Sequence, residues 1–223
     1  MQLYRSNGRL TIVFKRRDPL NWKTISSVLS KSGFDKQGKG TAVDDKGAES
    51  PIEVVSKASM HWIYSAERGS LSLIFDDLGV LRTTFSETMP IIESTYESKD
   101  AWKKDTRYYE ADFRFEMATS PRKPLEIMKE LTPKKVFNPF RKGINGREPI
   151  MFMLRFIDIL ETDPPNIRET TPLNDLAIWP IPENPDRFAA QIICRSPDMD
   201  ALQESLDAMQ DALYTWVKNE EKG

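Results

Sequence analysis

A single histidine, His61, and a single cysteine, Cys194, stand among the 223 residues, and this scarcity narrows the available chemistry before any motif is considered. A Ser-His-Asp triad or a histidine-based metal centre would have to include His61. One cysteine makes no internal disulfide and no cysteine-metal cluster. His61 lies between Met60 and Trp62 in a strand-like run, so it falls on the face opposite those two and reads as a structural histidine. Cys194 alternates with Phe188, Ala190 and Ile192 along RFAAQIICRS, which predicts a buried small hydrophobe. No apolar run approaches the roughly 20 residues needed to span a bilayer, and MQLYRSNGRL at the N-terminus lacks the apolar stretch of a secretory signal. A cytoplasmic protein without membrane insertion is expected. Glycines form no phosphate cradle either: GKGT at residues 38–41 lacks the P-loop spacing. No cofactor and no metal are expected.

What is present is an ordinary globular composition, 39% hydrophobic and 30% charged, sufficient for a substantial core. The net charge of -2 conceals polarity along the chain. Residues 1–40 carry nine Lys or Arg against two Asp, residues 122–147 carry eight against two Glu, and residues 157–223 carry fourteen acids against five bases. Such blocks form solvated faces or docking surfaces.

The run RLTIVF at residues 9–14 reads as a strand. Asp18-Pro19 then serves as a cap with proline in the first turn of a helix carrying Trp22, Ile25, Val28 and Leu29, with Gly33 as its stop. Residues 35–51 show no apolar periodicity and contain Gly38, Gly40 and Gly47, which predicts a long mobile loop. Strands are expected at residues 52–64, 71–75 and 80–85, with a turn at Asp76-Asp77-Leu78-Gly79 and a helix capped by Ser86 with Pro90 in its first turn.

From Tyr109, YYEADFRFEM alternates Phe113, Phe115 and Met117 against Arg114 and Glu116, a clear strand. Ser120-Pro121 repeats the cap-and-proline junction before a helix with Leu125, Met128 and Leu131. Strands follow at residues 150–160, 176–181 and 187–194; Pro180 and Pro182 place the middle one at an edge or make it short. Ser196-Pro197 opens a final helix with an apolar stripe at Met199, Leu202, Leu206, Met209, Leu213 and Trp216. The expected fold is α+β, with two topologically similar halves, residues 1–106 and 107–223, forming one continuous unit. Each half runs strand, helix, antiparallel strands, helix, around a curved antiparallel sheet with helices on one face.

This element order over residues 9–219 resembles the duplicated saddle of the TATA-binding protein family; a tandem ferredoxin-like arrangement would give the same pattern. The resemblance implies a concave sheet face that meets the DNA minor groove, with phenylalanine wedges between base steps. Phe75 and Phe85 flank a turn here, whereas Phe152 and Phe156 lie inside an apolar strand. The acidic chain departs from a family that neutralises phosphates.

Two features suit binding. In the basic connection, Lys134, Lys135, Arg141 and Lys142 surround Phe137 and Phe140, cations beside rings that suit a phosphate backbone with stackable bases, or a pair of core anchors in a connecting loop. The strand at residues 150–160 is apolar on both faces, which predicts burial on both sides, and it carries Arg155 and Asp158 as polar groups in an apolar wall. Asp44-Asp45 and Asp76-Asp77 read as turns. These features favour a non-catalytic binding module with a nucleic-acid or protein partner. The alternative is a small-molecule-binding protein or enzyme with a pocket between sheet and helices near residues 150–160. Self-association through the last helix or the 176–181 edge is a third option.

Overall fold

The computed structural model describes residues 2–43, 47–118, 122–132, 152–158 and 172–222. These form nine strands and five helices, a mixed α+β fold. In chain order the elements are β1 (Gln2–Phe14), α1 (Trp22–Lys31), β2 (Lys36–Val43), β3 (Glu49–Lys57), β4 (Met60–Ser65), β5 (Ser70–Phe75), α2 (Leu78–Glu93) and α3 (Lys99–Asp105). They continue with β6 (Thr106–Ala118), α4 (Pro124–Leu131), β7 (Leu154–Asp158), β8 (Leu173–Ile181), β9 (Asn184–Ser196) and α5 (Met199–Lys222). All strands join one antiparallel sheet in the order β2-β3-β4-β5-β1-β6-β9-β8-β7. Among the described residues, no helix is long and apolar enough to cross a membrane.

Period-two alternation in the central strands decides which face is covered. Leu10, Ile12 and Phe14 of β1, Trp62 and Tyr64 of β4, Phe113 and Phe115 of β6, and Phe188 and Ile192 of β9 are all buried. Helix side chains meet that same face through aromatic pairs: Trp22 on Tyr64, Phe85 on Trp62, Trp102 on Phe14, Tyr214 on Phe115 and Trp216 on Phe188. Cys194 lies on it too, fully buried, as its alternation with Ile192 predicts. Burial pushes its thiol up to about 12.

The helix starts differ from those the prolines predict. Asp18 adopts φ 46 and accepts a 2.8 Å hydrogen bond from the Tyr64 hydroxyl, so its carboxylate is spent on the core. Asn21 caps α1 instead, accepting from Thr24 N. The stop at Gly33 holds: at φ 90 it donates to Ser30 O, and Phe34 N donates to Leu29 O, closing the last carbonyls in a left-handed cap.

The expected strand at residues 80–85 is helix. Asp77 accepts from Val80 N at 3.0 Å, and Leu78, Leu81, Phe85, Met89 and Ile92 form one buried stripe at helical spacing. The β-branched alternation of VLRTTF is a local signal that this longer period overrides. Ser86 is therefore interior to α2, and Pro90 lies near its end rather than in its first turn. In α4, Pro124 takes the first helical position and the Glu126 carboxylate accepts from Lys123 N; Ser120 and Pro121 lie outside the described residues. Asp198 rather than Ser196 caps α5, accepting from both Asp200 N and Ala201 N.

Residues 35–51 contain a strand where a loop was expected. β2 pairs with β3 from Lys36–Ser56 to Val43–Glu49 and is exposed along nearly its whole length. An edge strand with neither face buried has no reason to show apolar periodicity. The expected run over residues 52–64 is in fact the β3–β4 hairpin, reversed at Ala58 with φ 53. Asp44 and Asp45 lie outside the described residues.

Two expectations for the second half are also corrected. β8 is neither at an edge nor short: it is flanked by β9 and β7 and runs for nine residues. Pro180 is tolerated because it lies beyond the last β7 pair, Leu154–Ile178, so its missing N–H forfeits no ladder bond on that side. The strand at residues 150–160 is not buried on both faces: Phe152 is 49% and Phe156 53% exposed, and β7 is the last strand of the described sheet.

Candidate binding site on the sheet face opposite the helices

Residues that alternate with the core positions of β1, β6, β9, β8 and β7 project from the sheet's other face, where register brings charged side chains together. Arg9 lies across from Asp112, Thr11 from Glu110, Glu110 from Arg195, and Arg114 from Gln191. Arg195 Nε donates to Glu110 Oε2 at 2.7 Å, and Arg9 reaches Glu110 at 3.2 Å and Asp112 at 3.6 Å. Gln191 Nε2 donates to Asp112 Oδ1 at 2.7 Å, and Arg114 stands 3.7 Å from the same oxygen. Farther along, Arg187 pairs with Glu116 and stacks on Tyr4 at 3.7 Å from the ring centre. The Glu110 and Arg195 side chains are each 12% exposed, so this pair is shielded enough to hold the centre of the face in one arrangement.

At the β7 end the same face is hollow. A depression of about 340 Å³ is lined by Met153, Arg155, Asp175, Ala177, Trp179, Gln191 and Ile193. The register assembles it: Arg155 is opposite Ala177, Asp175 opposite Ile193, and Ala177 opposite Gln191. Arg155 grips Asp175 with two parallel bonds, Nε to Oδ1 at 3.0 Å and Nη2 to Oδ2 at 2.6 Å. This pairing raises the Arg155 pKa further, chiefly through the hydrogen bonds to Asp175. Asp175 is 7% exposed while Arg155 is 48% exposed, so the carboxylate anchors the guanidinium from below and leaves its outer edge in the hollow. Among the described residues, Arg155 Nη1 and Gln191 Oε1 have no hydrogen-bond partner. A fixed, planar cation beside an indole and an apolar wall can bind an anion carried on a flat apolar body.

Of the residues singled out in the sequence, Arg155 belongs to this hollow. Asp158, three positions along β7, pairs with Asn174 and is not part of the lining. Lys134, Lys135, Phe137, Phe140, Arg141 and Lys142 all lie outside the described residues. Phe85, one of the phenylalanines considered as a wedge, is buried against Trp62. Trp179, Gln191 and Asp175 were missed. The available signal was an acid and an amide within the apolar runs LNDLAIW and FAAQIIC, at positions that alternate away from the core.

Other polar clusters have local roles. His61 Nδ1 and Ser56 Oγ are 2.8 Å apart across the β3–β4 ladder. Asp105 accepts from the Tyr96 hydroxyl at 2.5 Å and from Arg16 at 3.0 Å, and these partners, Tyr96 first, hold its carboxyl below the usual range. Asp77 is the α2 cap. Among the described residues, no three His, Cys, Asp or Glu side chains converge in a way that could hold a metal ion. Comparison with models of known protein families and with curated proteins finds no match.

Proposed function

We propose that the chain is a non-catalytic binding module that receives a small organic anion with a planar apolar body in the hollow at β7, β8 and β9. The observation that carries this reading is the Arg155–Asp175 fork inside a 340 Å³ depression walled by Trp179, Met153 and Ile193. Few polar groups converging in an otherwise apolar concavity is the usual composition of a small-ligand site. The pre-paired carboxylate orients Arg155 before a ligand arrives, which reduces the entropy cost of binding.

The sheet that carries the hollow is proposed to be a duplication, residues 1–106 and 107–223, with the curved arrangement of the TATA-binding protein family. Strand order supports this. Outward from the central β1–β6 pair, one side runs β5, β4, β3, β2 and the other β9, β8, β7. Each half thus places its last strand beside its first. A nucleic-acid partner has less support on this face, because Arg9, Arg114, Arg155, Arg187 and Arg195 confront Glu110, Asp112, Glu116 and Asp175. Arginines already matched by carboxylates are a poor partner for a run of phosphates.

The test is a titration of the ¹⁵N-labelled protein with 2-naphthoate, following the five tryptophan indole N–H signals, with Trp179→Phe assigning its own. Saturable movement of the Trp179 signal by 2-naphthoate, and a weaker response to neutral 2-naphthamide, is expected. Arg155→Gln combined with Asp175→Asn removes both charges while leaving two side chains that can still hydrogen-bond. It should weaken 2-naphthoate binding about 10- to 100-fold, the scale of one charge-assisted bond. An unmoved Trp179 signal, or equal affinity in the double variant, contradicts the reading.

A further inference from the structure

The other end of the sheet offers a different kind of surface. β2 is the terminal strand, eight residues long and exposed at every position except the partly buried Ala42. Among the described residues no strand pairs with its outer edge, which presents main-chain N–H and C=O groups. On the helix side of the sheet, beside α1, a groove of about 540 Å³ runs over β2 and β3, with Trp22, Lys23, Gln37, Lys39 and Glu53 in its lining. Trp22 forms a fixed wall, stacked on Tyr64 at 5.4 Å and 11°.

The charge at this edge selects between occupants. Lys36 and Lys39 lie on β2 and Lys23 faces the groove from α1. Among the described residues none of the three makes an ion pair, and Glu53 is the one carboxylate in the lining. A second copy of the chain adding its own β2 would bring four lysines and no carboxylate onto two neighbouring strands, and like charges there repel. Edge lysines ordinarily guard against such self-pairing. An acidic strand meets the opposite situation, since its carboxylates would neutralise the same lysines while its backbone completes the ladder.

We propose that the β2 edge is a docking site for an extended acidic peptide segment of a partner protein, which joins the sheet as a further antiparallel or parallel strand and sends alternate side chains into the groove beside Trp22. This surface is separate from the Arg155 hollow and does not depend on it.

The experiment is fluorescence anisotropy of the full chain with a fluorescein-labelled octapeptide alternating glutamate and valine. The same peptide N-methylated at alternate amides, in both phases, and a lysine-for-glutamate version are measured alongside it. Saturable binding of the acidic peptide is expected, at least about 10-fold weaker for one N-methylated phase and undetectable for the basic version. Lys36→Glu with Lys39→Glu, both exposed, should invert the preference toward the basic peptide without lowering thermal stability. Movement of the Trp22 indole signal rather than Trp179 locates the contact. Equal binding of both N-methylated peptides reduces the interaction to charge alone and overturns strand addition. Unchanged affinity in the double variant, absence of binding, or a dimer in light scattering that the peptide fails to dissociate would also overturn it.

Discussion

Replacing Gly8 with alanine sets two opposing terms against each other, and the packing of α2 on β1 decides the sign. In an unhindered strand, alanine is favoured over glycine by roughly 0.5–1 kcal/mol, because glycine loses more backbone freedom on folding. At Gly8, a Cβ would lie 2.6 Å from Leu78 Cδ2, 2.8 Å from Phe113 Cδ1 and 3.0 Å from Leu81 Cδ2. Leu81 and Phe113 are fully buried, so all three groups cannot swing away into solvent. Overpacking a filled core costs about 1–3 kcal/mol, which exceeds the backbone gain and leaves Gly8→Ala less stable by roughly 1–2 kcal/mol. Urea unfolding should show a lower midpoint at unchanged slope, and thermal unfolding a drop of roughly 2–8 °C. Gly38→Ala is the matched control, with nothing within 4 Å of its added Cβ; it should be neutral or slightly stabilising. Gly8→Ala at or above wild-type stability would refute the close seating of α2 on the central strand.

The remaining predictions concern titrating groups. Cys194, with its thiol pushed up to about 12 by burial, should be inert to a disulfide reagent at neutral pH and react fully only in denaturant; prompt reaction of the folded chain would show that the β9 core face is open. Its linkage runs toward alkali: the native state holds the proton more tightly than the unfolded one, so the contribution is present below the ordinary thiol value of 9.0 and lost as pH rises from there toward 12. Asp105 behaves oppositely, because its carboxyl is held below the ordinary value by Tyr96 and Arg16. Its contribution is present above the unfolded value and lost as pH falls through the lowered native one, so Asp105→Asn should flatten the acid limb of the stability profile. An acid limb identical to wild type would contradict that role.

The parts of the fold that were legible in the sequence are those whose side chains have one buried face. Phe113, Phe115 and Met117 announced β6 through strict alternation, and the stripe from Met199 to Trp216 announced α5. Cys194 and His61 fell on the faces that alternation assigned. Where burial is absent, the signal is absent too: β2 has neither face covered and so resembled a loop. Where two periods compete, the shorter one misled, as in VLRTTF, whose β-branched residues hide the longer stripe from Leu78 to Ile92. Asp18-Pro19 and Ser196-Pro197 marked helix entry to within a few residues but not the caps, because Tyr64 claims Asp18 and Asp198 outcompetes Ser196, whereas Pro90 falls near the end of α2. The candidate site was legible only at Arg155. Its other members come from β8 and β9, and only strand register, which no local pattern specifies, brings Asp175, Trp179 and Gln191 beside it.

Whether the hollow opposite the helices receives a small organic anion is decided by a crystal structure of the protein soaked with 2-naphthoate. One ordered molecule is expected between Trp179 and Ile193, its carboxylate within hydrogen-bond distance of Arg155 Nη1 and the Arg155–Asp175 fork intact. An empty hollow at saturating concentration, or the ring bound elsewhere with Arg155 uninvolved, would contradict it.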